Sequence, residues 1–249
     1  MPEGPSILIL RELLEPFKGK QVINASGDAD IDLDRLNDHI ISDIRSYGKN
    51  IFLCFTGFYI RVHLMMYGTY KINGRKEGTP RLRITTNKEE INFYTCIVTL
   101  LEGKSADQYD WDTDVLSDEW NPLKAEKTLK AMKKEKVSDV LLDQNVFTGV
   151  GNIIKNEVLF RVKIHPESLV SALPTKKLKE LVKVVRQFSF DFYNWKNKNQ
   201  LNKNLNIYSK KKCQRCGIPN HTAYIGKGKR LPCFCANCQV MYASEALTK

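Results

Sequence analysis

Two C-x-x-C knuckles, CQRC (213–216) and CANC (235–238), stand 18 residues apart and limit what the C-terminal part of this chain can fold into. Four thiolates so spaced can surround one Zn²⁺ tetrahedrally at about 2.3 Å, two from each tight turn. Such a set leaves no open coordination position, so the expected ion is a single structural zinc on Cys213, Cys216, Cys235 and Cys238. Five of the seven cysteines crowd into 213–238, and in a reducing compartment that clustering favours metal over disulfides. Cys233 has the wrong spacing to Cys235 for a knuckle, and His221 could replace a ligand. Cys54 and Cys96 sit in apolar, strand-like contexts and read as core. Between the knuckles, YIGKGKRLP places Lys227, Lys229 and Arg230 at the tip of a metal-pinned β-hairpin, suited to a nucleic-acid backbone or simply a solvated basic turn.

The charge favours a polyanionic partner. Lys and Arg number 39 against 28 Asp and Glu, a net +11, which promotes association through phosphate neutralisation and counterion release. No stretch approaches the roughly 18 apolar residues of a membrane span, and no basic segment followed by an apolar run opens the chain. A soluble, cytoplasmic protein is expected (nucleoid-associated if bacterial), working as a monomer.

The periodicity changes along the chain. Pro5 to about Phe17 has helical spacing (Ile7, Leu8, Leu10, Leu13, Leu14), and IFLCF (51–55), FYIRVHLM (58–65) and YKI (70–72, closed by Asn73-Gly74) then read as successive antiparallel strands. RLRITT (81–86) and INFYTCIVTLL (91–101) add two more. Past DTDVLSDEWNP (112–122), lysine-studded helical patterns take over. The fold class is α+β, a β-sandwich with a leading helix over 1–115, a helical domain over 116–206 and a four-cysteine zinc finger over 207–249.

Several short motifs carry potential chemistry. In LLDQNVFTGVGNIIKNEVLF (141–160) a helix ends near Gln144, a loop holds Gly149 and Gly151, and Asn152 N-caps the next helix. The backbone N–H groups there suit phosphate, although helix hairpins commonly turn on glycine. Lys49 stands between a glycine turn and a buried strand. RVHLMMYG puts Arg61, His63 and Met65 on one strand face opposite Val62 and Leu64, and Met66-Tyr67-Gly68 then turns the chain as a wedge between bases or as edge filler.

PEGP at the start, GK before a strand, H-L-x-M-x-G, DVLSDEW, LLDQ…TGVGN…E and the paired knuckles occur together and in this order. In this the chain resembles the formamidopyrimidine-DNA glycosylase and endonuclease VIII family of bifunctional DNA repair enzymes. The resemblance implies a helix-two-turn-helix DNA-binding domain after the sandwich and damaged DNA as the partner. It also implies loss of Met1, so that the secondary amine of Pro2 attacks C1′ of the damaged nucleotide, with Glu3 as acid/base partner and β- then δ-elimination cutting the strand. An α-amino group, with a pKa of about 7.7–8, has a nucleophilic fraction at neutral pH.

By the same resemblance Lys49 contacts the lesion phosphates and donates a proton, and His63 and Asn152 bind phosphate. Arg230, beside Lys229 in a finger reading RLPCFC, grips phosphate and aids δ-elimination. Met66, flanked by Met65 and Tyr67, fills the gap left by the flipped base, and Glu157 is structural. The Asp-Pro-Arg-Arg-Phe-Gly element of formamidopyrimidine glycosylases is absent, its place taken by NFYTCIVTLLEG. That departure, with PEGP for PELPE, points to the endonuclease VIII branch and oxidised pyrimidines. Two alternatives remain at this level: a non-catalytic zinc-finger binder of damaged DNA, and an RNA-binding zinc protein, which leaves the N-terminus unexplained.

Overall fold

The computed structural model describes residues 2–222 and 233–243, and the chain divides into two compact units, Met1–Asp110 and Trp111–Lys249. In the first, α1 (Gly4–Leu14) opens with proline in its first turn, where the missing N–H costs nothing. Ile7, Leu10 and Leu14 are fully buried, while Leu13 stays half exposed. The helix packs on β2 (Asp43–Tyr47) and β3 (Asn50–Cys54).

Two four-stranded antiparallel sheets follow. Adding β1 (Asn24–Ser26), β4 (Phe58–His63), β5 (Thr69–Ile72), β6 (Leu82–Thr85), β7 (Glu90–Tyr94) and β8 (Ile97–Glu102), their orders are β2-β3-β4-β8 and β1-β6-β7-β5. Ile51, Leu53 and Val62 of one sheet and Ile84, Ile91 and Phe93 of the other share one core with α1, which makes the sandwich. Burial of each such side chain stabilises by roughly 1.5–3 kcal/mol.

The strand expectations need two corrections. The segments 58–65 and 70–72 are not paired neighbours, because β4 pairs with β3 and β8 whereas β5 pairs with β7. Nor is 91–101 one strand. Thr95 adopts φ +52° and breaks the run, so β7 ends in one sheet and β8 begins in the other. Continuous β-branched and aromatic residues hide this crossing, since nothing in their pattern marks a left-handed residue.

The second unit is built on helices. DVLSDEW sends Val115 and Trp120 into its core, with Trp120 tilted against Phe147 at 6.0 Å. α2 (Pro122–Ala131) is capped by Asn121, whose Oδ1 accepts the N–H groups of Leu123 and Lys124, both at 3.1 Å. α3 (Val137–Val140) ends four residues before the expected Gln144. Next come α4 (Asn152–Arg161), buried from Asn152 through Phe160, and α5 (Thr175–Asn197). On α5, Leu178, Leu181, Val185, Phe188 and Phe192 recur at helical spacing and are buried. α6 (Leu201–Asn204) leads to the cysteine-rich tail, where β9 (His221–Thr222) pairs antiparallel with β10 (Cys233–Phe234).

A β-branched residue at positive φ carries backbone strain of about 1–2 kcal/mol. Thr95→Gly is therefore expected to raise stability by about 0.5–1 kcal/mol in denaturant unfolding. A net loss would show that the Thr95 side chain contributes more than its backbone costs.

Candidate nucleic-acid interface and metal centre

The residues singled out in the sequence fall in both units, and each set is coherent by itself. In the first, Pro2 precedes α1 and is half-buried. Glu3 is the N-cap residue, its backbone carbonyl accepting the N–H groups of Ser6 (2.8 Å) and Ile7 (3.3 Å). Its side chain is fully buried yet does not cap the helix. The backbone thus starts the helix while the carboxyl group serves elsewhere.

Gly48, at φ +55°, and Lys49 form the two-residue link between β2 and β3, closed by the pair Tyr47↔Asn50. Asn50 in turn faces His63 on β4, which brings Lys49 beside the imidazole. Burial, then the charges of Lys49 and Arg61, push the His63 pKa below its ordinary value, so the ring is neutral at pH 7. Its Nδ1 accepts the Met65 N–H at 3.1 Å, which puts the ring proton on Nε2 and leaves that atom as a donor. A neutral donor beside a lysine suits a phosphate oxygen.

Met65 does not continue the strand face of Arg61 and His63. β4 stops at His63, and Met65 takes φ +53°. The Gly68 N–H closes on the Leu64 carbonyl at 2.7 Å, and a Cβ on Gly68 would collide with that carbonyl. The turn holds Met65 (47%), Met66 (50%) and Tyr67 (77%) out in solvent, as large apolar side chains with no role in the core.

In the second unit, the expected N-cap at Asn152 is corrected by one residue. Gly151 is the N-cap and Asn152 the first helical residue, buried at 6%. The preceding loop is braced by Gln144: its Nε2 donates to the Leu142 and Val150 carbonyls, and its Oε1 accepts from Gly149, itself at φ +95°.

The four cysteines converge, all Sγ atoms within 4.8 Å of one another. Cys213 and Cys238 are 3.8 Å apart and Cys216 and Cys235 3.5 Å. A tetrahedron with about 2.3 Å from centre to sulfur has edges of about 3.8 Å, so the set fits a four-thiolate metal site. The Ile218 backbone draws the Cys216 pKa down to about 6, whereas burial pushes Cys238 up to about 12. Cys233 lies outside the cluster, in β10, its N–H donating to Asn156 Oδ1 at 3.1 Å. His221 stacks on Phe234 at 5.3 Å and does not join the sulfurs. Lys227, Lys229 and Arg230 lie outside the described residues.

Glu157, expected to be structural, anchors α4 to the segment entering the first knuckle. The fully buried Glu157 carboxylate accepts the backbone N–H groups of Asn206, Ile207 and Tyr208 at 2.8–3.0 Å. Asn156 takes the Cys233 N–H, and Phe160 packs with Ile207, Cys213 and Cys235 in a small core under the knuckles. One helix therefore holds both sides of the metal centre and carries Asn152 at its other end. The Glu following N-I-I-K-N was the available signal, but its partners lie 49–51 residues away.

Two outcomes follow from this geometry. Glu157→Gln should cost more than about 3 kcal/mol, because three buried N–H groups lose a charged acceptor, and bound metal should be lost at lower denaturant; an unchanged midpoint would contradict the anchoring role. In an NMR titration of the free protein, the His63 midpoint should lie below about 6.5. Because the folded state resists protonation, stability from this group is complete above that value and declines as pH falls through it. A midpoint at or above 6.5 would remove the basis for a neutral donor.

The formamidopyrimidine-DNA glycosylase N-terminal domain matches residues 1–97, and the formamidopyrimidine-DNA glycosylase H2TH domain matches residues 113–188. Endonuclease 8-like 3 of Homo sapiens is 32% identical over 216 residues, 83% of this chain, and the chain spans only 36% of that protein's length. The DNA-(apurinic or apyrimidinic site) lyase Nei2 of Mycolicibacterium smegmatis is 28% identical, covering 96% of this chain and 99% of its own. The fold is shared with the Lactococcus lactis formamidopyrimidine-DNA glycosylase bound to DNA containing an abasic site, at TM-score 0.83 and 21% identity over 95% of this chain and 99% of that one. Two matching domains in the family's order, together covering more than half of the chain, establish that it belongs to the formamidopyrimidine-DNA glycosylase and endonuclease VIII family of DNA glycosylases, nearer its endonuclease VIII branch.

Proposed function

We propose that this protein is a bifunctional DNA glycosylase and abasic-site lyase of base-excision repair, acting on oxidised bases, with pyrimidines preferred. The observation that carries the reading is the start of α1: Pro2 stands outside the helix, and the buried Glu3 carboxyl is not used to cap it. The Glu3 backbone alone starts the helix, so the buried carboxyl is left for a role other than capping, which supports chemistry at the terminus.

Once Met1 is removed, the secondary amine of Pro2 attacks C1′. The C1′–N bond to the base breaks and the base leaves with a proton; the C1′–O4′ bond then opens, O4′ takes a proton, and an iminium joins the protein to the sugar. Glu3 moves protons during ring opening and abstraction at C2′. Loss of that proton expels the 3′ oxygen, and a second elimination expels the 5′ oxygen. Lys49 and neutral His63 of the first unit contact DNA phosphates; Asn152, Lys229 and Arg230 of the second also bind the phosphate backbone, Arg230 aiding the second elimination. The exposed Met65, Met66 and Tyr67 fill the duplex where the base departs.

Cys213, Cys216, Cys235 and Cys238 would hold zinc, which when bound supplies rigidity to the knuckles and no open coordination position. A thiolate site of this kind suits a reducing cytoplasm, where the protein acts as a monomer on damaged DNA.

Incubation with a duplex containing an abasic site, followed by borohydride, should yield one covalent protein–DNA adduct from protein with a verified Pro2 terminus and none from a chain extended ahead of Pro2. Glu3→Gln should slow strand cleavage by about 10²-fold or more. An adduct from the blocked terminus, or none from the free one, would contradict the mechanism. Saturable binding without cleavage would instead identify a non-catalytic binder of damaged DNA.

A further inference from the structure

At the C-terminal end of α4 a cavity of about 340 Å³ is lined by Phe160, Arg161, Asn206, Gln214 and Arg215. Its two guanidinium groups are held by aromatic rings. Arg161 lies 4.8 Å from the Phe188 centroid and 5.7 Å from that of Trp195, and Arg215 lies 4.2 Å over Phe160. Stacking of this kind fixes the plane of the fork while leaving its edge available.

Arg215 spends one donor on the Phe160 carbonyl at 3.1 Å. Arg161 spends none on a described residue: its Nε is buried without a hydrogen-bond partner. The nearby acid is Glu157, with Oε2 4.0 Å from that Nε, too far for a hydrogen bond. Both Glu157 oxygens are already taken by the backbone N–H groups of the 206–208 segment. A buried N–H without a hydrogen bond is costly, and beyond the long ion pair with Glu157 this Nε has no acceptor; a second arginine and the Gln214 carboxamide, with one N–H on the Lys212 carbonyl, line the same cavity.

We propose that this cavity is a binding site for a phosphate monoester or free phosphate, which would bridge α4 to the first knuckle through Arg161 and Arg215. Two guanidinium groups, set against the one carboxylate of Glu157 whose oxygens already accept the 206–208 N–H groups, offer planar donors that match the three or four acceptor oxygens of a phosphate monoester or free phosphate better than the two of a diester. The site is separate from the phosphate position of Asn152. Asn152 and Arg161 are the first and last residues of α4, and nine residues of helix rise put them about 14 Å apart. Arg215 and Gln214 lie between Cys213 and Cys216, so an occupant would tie the metal-binding turn to the helix beneath it.

The test is titration of metal-loaded protein with inorganic phosphate, read as thermal midpoint and as NMR shifts of the Arg161, Arg215 and Gln214 side chains, against sodium chloride at matched ionic strength. Phosphate should raise the midpoint saturably and move those three side chains. Arg161→Gln and Arg215→Gln should each weaken binding at least tenfold while circular dichroism and metal content stay unchanged. Trinucleotides with and without a terminal phosphate identify the source: tenfold tighter binding of the phosphorylated form assigns the site to DNA ends, and binding no tighter than inorganic phosphate assigns it to free phosphate. The proposal is overturned if chloride reproduces the shift, if Arg161→Gln retains full affinity, or if the trinucleotide binds these residues equally well without its terminal phosphate.

Discussion

The second unit depends on one buried carboxylate. Glu157 sits on a helix with no exposed face from Asn152 through Phe160, and it accepts three consecutive backbone N–H groups from the chain entering the first knuckle. An ionised acceptor with several N–H donors is among the stronger hydrogen-bonding arrangements available to a protein, and removing it would strand the donors in a dry interior. Through it, a segment with little regular structure of its own takes a fixed path into Cys213.

Metal-site formation is thereby divided between two sources of order. The four sulfurs come from two short turns suited to holding an ion between them, and the approaches to those turns are set by α4, through Glu157 on one side and Asn156 on the other. Asn152 rides on the same helix, so a group suited to phosphate and the metal-binding turns share one rigid element. In the first unit the counterpart is the β2–β3–β4 register, which delivers Lys49 to His63 and leaves the Met65–Tyr67 turn exposed. Gly68 has a firm steric reason to be glycine there, because the chain doubles back on Leu64.

Much of this was legible in the sequence because it is written in local pattern: the first helix, most strands, the long amphipathic helix and the cysteine quartet. What escaped was non-local. The switch of sheets at Thr95 rests on one backbone torsion, Asn152 shifted from cap to first helical turn because Gly151 took the extended conformation, and Glu157 has partners some fifty residues away. The net charge of +11 does not say which cations are available. Arg35 with Glu102, Arg75 with Glu90, Arg81 with Asp28 and Lys18 with Asp43 are paired within the sandwich, so the basic residues free for a polyanion are fewer than composition implies. The Glu90 carboxyl is drawn down to about 2, chiefly by Arg75.

Amide hydrogen exchange at Asn206, Ile207 and Tyr208 tests the central role of Glu157 most directly, because ordinary loop amides exchange quickly and only a buried acceptor would slow them. The account predicts protection at these three amides comparable with the interior of α4. Exchange at the rate of a solvated loop would contradict it, and the knuckles would then owe their position to the metal alone.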